Sequence, residues 1–232
     1  MMRTEQLALV RGWADTRATL RGFQHRPFAT VGPWAAASLA IAALLLAATW
    51  MVALLSTPDS EPWRLLGVGR VGVWQDYYFI LYRNSLVLGL HAMACVAGFI
   101  AGSSLPVVAE GHSGWWRRVH DHAGRLAIGF VAGATLFSLS TQAYALGAQA
   151  STMAAERGIS PGLLLLGLLP HALPELCALF LPLAAWILAS RRGAWHELLA
   201  ATFVTSAIAV PLLLAAAAVE VWATPHLLYF LK

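Results

Sequence analysis

Apolar residues gather into five long runs, at roughly 34–56, 79–108, 124–149, 161–190 and 198–223. At about 1.5 Å per residue, each is long enough to cross a hydrocarbon core of about 30 Å. Short polar segments separate them. Pro58, Asp59, Glu61, Pro62 and Arg64 follow the first run, and EGHSGWWRRVHDH from Glu110 to His122 follows the second. Glu156 and Arg157 follow the third, and RRGAWHE at 191–197 follows the fourth. Trp74, Tyr77, Tyr78 and Phe79 stand just ahead of or at the start of the second run, where a membrane-interface aromatic belt belongs. The pattern predicts an all-α fold: a polytopic membrane helical bundle of about five transmembrane helices.

Within that frame the fourth run is unusual. Its thirty residues hold Pro161, Pro170, Pro174 and Pro182. Each proline lacks a backbone donor and disfavours helix in the residue before it. The spacing predicts a half-helix at 162–169, a break near Pro170 and Pro174, and a second helix from about 171 to 190. Irregular backbone at membrane depth is tolerated only where protein buries it or it lines a cavity. Two other runs carry small residues four apart, Gly98 with Gly102 and Gly129 with Gly133. Such pairs let helix backbones approach closely, within one chain or across a homodimer.

Residues 1–33 differ from the rest. Arg3, Arg11, Arg17, Arg21 and Arg26 alternate with Leu7, Leu9, Val10, Trp13, Leu20 and Phe23. This reads as a cytoplasmic Arg-rich leader, either an amphipathic helix on the membrane surface or a merely charged segment. The transmembrane helical domain is then 34–232. With the N-terminus inside, the inner segments hold the leader arginines, Arg117, Arg118, Arg125, Arg191 and Arg192. The outer ones hold Arg64, Arg70, Arg157 and Lys232, with Arg83 near the boundary. The excess of inner Arg predicts an N-terminus in the cytoplasm and a C-terminus outside.

Composition closes off other classes. Of 232 residues 59% are hydrophobic and 11% charged, against about 25% charged in soluble domains. The net charge of +4 has no clustered basic face behind it, so the basic excess is expected to meet anionic membrane lipid and not nucleic acid. Cys95 and Cys177 lie inside apolar runs and read as packing residues. There is no nucleotide-binding loop, no nucleophile with a matched base and no HExxH pattern. GVGRVG at 67–72 is a GxGxxG by letter only, with no strand before it, and the HDH run at 120–122 with His112 reads as a solvated turn.

Candidate chemistry lies in polar residues inside the apolar runs, where an ionisable group costs roughly 2.5–3.5 kcal/mol on insertion scales. They are Asn84, His91, Gln142, His171, Glu175 and Glu220. His171 and Glu175 are four apart and share a helix face. They suit a structural hydrogen-bonded pair, two ligands of a divalent metal with Glu220 as a third, or an ion path. Helical rise along the spans puts Asn84, Gln142, His171, Glu175 and Glu220 in the outer half of the bilayer or near its middle. If they converge, the polar site opens outward. His171, Glu175 and Glu220 are the catalytic candidates in an enzymatic reading.

From Asn84 onward the order of features resembles the stage II sporulation protein M family of bacterial membrane proteins. The marks are Tyr82-Arg83-Asn84 entering a Gly-containing span, then Pro170-His171 with Glu175-Leu176, then Glu220, Trp222 and Thr224-Pro225. Ala172 stands where that family has Gly, and Ser85 where it has a second Asn. The resemblance implies a multi-pass protein of the bacterial inner (cytoplasmic) membrane, working in cell-envelope remodelling or in peptide maturation and export.

The leading expectation is a membrane scaffold or complex subunit with a protein or peptide partner at the outer face. One alternative is an intramembrane metal-dependent peptide hydrolase or ligase, with zinc as the metal suited to nitrogen and oxygen ligands. The other is a transporter or channel lined by the broken helix.

Overall fold

A computed structural model of the chain describes residues 8–59, 72–104, 113–115, 118 and 122–231, and those residues are helical with short connections. Five helices among them are long and apolar enough to cross a membrane, so the all-α multi-pass reading holds. Helix α1 is Ala8–His25 and α2 is Pro27–Leu55. Helix α3 is Trp74–Phe99, prolonged by a π segment, Ile100–Ser104. Helix α4 is Ala123–Arg157 and α5 is Pro161–Arg192. A 3₁₀ turn, Trp195–Glu197, leads into α6, Leu198–Ala218. A second π segment, Val219–Ala223, joins α6 to a short α7, Thr224–Phe230.

Local chemistry sets the helix ends. Pro27 and Pro161 open α2 and α5, where a missing N–H leaves no helical bond unmade. Ser160 caps α5 by accepting from Leu163 N–H at 3.2 Å. Gly158 and Gly193 follow α4 and α5 with φ of +67° and +69°. Ile159 N–H reaches Ala154 O at 3.0 Å, and Ala194 N–H reaches Ala189 O at 2.9 Å, the six-to-one closure that satisfies a helix end.

The expected break in the fourth span is absent. Helix α5 runs without interruption through Pro170, Pro174 and Pro182. Each proline removes one hydrogen bond from a helix of 32 residues, and the flanking bonds remain. Helix α5 is also the most buried span, at 56% of its most apolar stretch against 6% for α4. Burial along much of its length, though not at Pro170 itself, accompanies that continuity. The irregular backbone belongs to the ends of α3 and α6 instead, as the two π segments.

Two compact units divide the chain, and α2 to α6 each contribute a stretch to both. The first unit comprises Met1–Ser38, Leu88–Ala134 and Phe180–Ile208. Its core is Trp34, Leu181, Ala185 and Ala201, with Phe23 of α1 packed against it. Thr16 is buried as well, so the described part of the leader is a helix docked on protein. A Cβ on Gly98 would lie 2.6 Å from Trp186 Nε1, and one on Gly102 would overlap the Trp195 ring. That glycine pair packs within the chain. Around Gly129 and Gly133 no described atom lies within 4 Å of a Cβ position.

The second unit comprises Leu39–Val87, Thr135–Leu179 and Ala209–Lys232. Ala53, Ala150, Met153, Ala154, Leu164 and Leu228 form one core cluster there; Ile80, Ala217 and Val221 form another. Gly147 of α4 meets Thr49 O and Val52 of α2 at close range, an approach that only glycine permits. Ser151 Oγ donates to Ser56 O at 2.9 Å, and Asp59 N–H donates to Thr152 Oγ1 at 2.9 Å, tying the end of α2 to α4.

Candidate functional site

The second unit holds most of the intramembrane polar residues, and the π segment after α6 organises them. Its cause is legible in Thr224-Pro225. Pro225 has no N–H for Val221 O, and its ring crowds that carbonyl. The helix widens by one residue, so that Thr224 N–H bonds Val219 O instead. The orphaned Val221 O then accepts from Gly72 N–H at 3.1 Å. This approach needs glycine, because a Cβ at position 72 would overlap Val221 Cγ1 and lie 3.2 Å from Val221 O. Beside it, Asp76 is buried in the first turn of α3 and accepts from Val73 N–H at 3.4 Å. Tyr77 Oη donates to Leu214 O at 3.3 Å, a turn before the π segment begins. Trp222 packs against Trp74 and Tyr77, with ring centroids 4.9 and 5.2 Å apart.

Into this frame α5 places His171, which is buried. Its Nδ1 lies 2.8 Å from Thr224 Oγ1, and that hydroxyl donates to Val219 O at 3.1 Å. With the hydroxyl proton directed at Val219 O, Oγ1 accepts from Nδ1–H, and the lone pair of the neutral ring stays on Nε2. The partner of His171 is thus Thr224 on the next span, not Glu175 one turn along its own helix.

Glu175 is half-buried on α5, and Glu220 is half-buried in the π segment. Their carboxyls lie within electrostatic range of each other, and Arg83 of α3 lies within range of both. Arg83 is exposed, with its guanidinium 6.0 Å from the Phe79 ring centre. Asn84 is 8% exposed, and its amide approaches Glu175. Its buried Nδ2 closes no hydrogen bond of good geometry with any described residue. Among the described residues, one guanidinium therefore lies near two carboxyls, with the Asn84 amide beside Glu175.

Asn84, His171, Glu175 and Glu220 thus share one neighbourhood. Gln142, also in the second unit, gives its Nε2 to Ser138 Oγ at 2.9 Å, a bond within α4. His91 belongs to the first unit, its ring 5.7 Å from that of Phe180. Cys95 and Cys177 are both thiols, and Cys95 Sγ donates to Pro182 O at 3.2 Å. Among the described residues no group of three or more His, Cys, Asp or Glu side chains is arranged to hold a metal ion. Of the polar turn at 110–122, His112, His120 and Asp121 lie outside the described residues, and His122 Nδ1 meets Arg118 O at 2.8 Å. GVGRVG lies outside them too, except for Gly72.

No family model, curated protein or solved structure matches the chain. The site must be read from its own geometry.

Sequence reasoning missed two of its members. Thr224 is an ordinary hydroxyl residue until its carbonyl-seeking proton and the following proline are considered together. Gly72 had no signal beyond its place ahead of an aromatic helix. A proline one residue after a polar side chain, at the end of an apolar run, is the signal that could have found Thr224.

Proposed function

We propose that this chain is a membrane-embedded scaffold subunit, acting with a protein or peptide partner at the end of the bundle that carries the His171 cluster. The observation that supports this reading is the His171–Thr224–Val219 chain of hydrogen bonds at 2.8 and 3.1 Å. These bonds brace a helix irregularity against α5. Residues that hold a π segment in one shape are what a docking subunit needs from its interior. By the positive-inside rule the cluster faces outward and the N-terminus lies in the cytoplasm. The resemblance to the stage II sporulation protein M family points to the bacterial inner membrane and to cell-envelope remodelling or peptide export as the setting.

One observation favours a second reading. Among the described residues, Arg83 lies in range of both Glu175 and Glu220, and the Asn84 amide lies beside Glu175. Intramembrane carboxyls of this kind serve proton or cation transfer in pumps and transporters. The metal-dependent peptidase reading has less behind it, since among the described residues no three His, Cys, Asp or Glu side chains are placed to hold a metal ion.

Proteoliposome flux separates the first two. The purified full chain, Glu175→Gln and Glu220→Gln are reconstituted with an entrapped pH dye, and thermal unfolding is measured on each. The scaffold reading expects no proton flux above a lipid blank in any sample. Flux in the parent that disappears in Glu175→Gln at an unchanged unfolding midpoint would replace it with transport.

A further inference from the structure

A cavity of ≈ 300 Å³ lies wholly within the first unit, between the end of α1, the first turns of α2 and the α5–α6 turn. Phe23, Thr30 and Trp34 form one side, and Arg191, Arg192 and Glu197 the other. Phe23 and Trp34 meet edge to face with centroids 5.4 Å apart, giving the cavity an apolar wall. The cations are not equivalent. Arg192 Nε donates to Leu188 O at 3.2 Å, and its Nη2 lies 3.5 Å from Glu197 Oε2. Arg191, in the last turn of a membrane-length helix, makes no hydrogen bond or ion pair with any described residue and is exposed. Among the described residues, two guanidiniums against one carboxylate leave this rim one positive charge in excess. Thr30 Oγ1 spends its proton on Arg26 O at 3.1 Å, so it adds no donor.

We infer that this cavity is a binding site for the phosphodiester headgroup of an anionic phospholipid, with Arg191 as the principal ligand. The location supplies the choice of ligand. The cavity sits where a span of membrane length ends, so acyl chains would run along apolar helix surface while the headgroup meets the arginines. Basic pockets at such helix ends take lipid headgroups. A guanidinium with no protein partner presents the planar donor pair that phosphate oxygens match. The carboxylate of Glu197 is held by Arg192, so repulsion of the phosphate is damped. The inference is independent of the role of the His171 cluster.

Native mass spectrometry of the full chain, after exchange into equal amounts of phosphatidylglycerol and phosphatidylcholine, tests this. We expect phosphatidylglycerol adducts to exceed phosphatidylcholine adducts by about fivefold or more, the scale of one juxtamembrane cation. Arg191→Gln should bring the ratio near parity at an unchanged thermal midpoint, and Arg191→Lys should keep most of the preference. Inorganic phosphate, added alone, should not displace the lipid. Parity in the parent, or an unchanged preference in Arg191→Gln, would overturn the inference. Displacement by inorganic phosphate would also overturn it, in favour of a free-phosphate site.

Discussion

Thr224 carries two bonds that no spacing rule assigns to it, one to His171 on α5 and one to Val219 O in its own π segment. Replacing it by Val keeps the volume and removes both. We expect Thr224→Val and His171→Ala to lower stability in detergent by about 0.6–2 kcal/mol each, the range for hydrogen bonds between membrane helices. Together they should cost less than the sum, because they share one bond. Unfolding curves of the two single variants and the double variant check this. Gly72 offers a second test at this scale. Gly72→Ala forces a methyl group against Val221 and should destabilise by roughly 1–3 kcal/mol, as overpacking does. His171 and Glu175 were legible as a pair from their spacing of four. That His171 turns to Thr224 was not, because rotamer and partner are set by the neighbouring helix.

At the scale of elements, proline content misplaced the irregularity. Pro170 and Pro174 lie in a helix that continues through them, whereas Pro225 comes just after a π segment in a less buried span. Pro170→Ala should therefore leave the helix as it is. Amide exchange across 166–178 should stay slow in the parent and the variant alike, and fast exchange confined to 168–174 in the parent would contradict a continuous α5. The glycine pairs make a matched comparison. Gly98→Leu meets Trp186 and Leu198 and should destabilise by at least about 1–3 kcal/mol, while Gly129 is exposed with open space around its Cβ position, so Gly129→Leu should be near neutral. Both pairs read alike as GxxxG; only the facing helix distinguishes them.

For the whole molecule, the reading that matters is which end faces the cytoplasm. Glu156 and His196 are exposed in turns that the positive-inside rule puts on opposite sides of the membrane. In a background with Cys95 and Cys177 replaced, Glu156→Cys should react with a membrane-impermeant maleimide added to intact cells, and His196→Cys only after permeabilisation. The reverse pattern would invert the topology and bring the arginine-lined cavity to the outer leaflet. Helix α4, with Leu126, Phe130, Phe137 and Tyr144 exposed, presents to lipid what a soluble protein would have to bury.

The residue pattern by itself determined the number of apolar spans, the helical class and the short list of intramembrane polar residues. It could do so because length and burial in hydrocarbon act on each segment separately: a run of apolar residues must become a helix to satisfy its own backbone. Only the tertiary structure decided which glycines touch a neighbour, which prolines disturb a helix, and that His171 bonds Thr224 while Asn84 and Glu220 gather near Glu175. Those outcomes depend on the faces that helices distant in sequence turn toward one another. Periodicity within a helix fixes which residues share a face, but not what that face will meet.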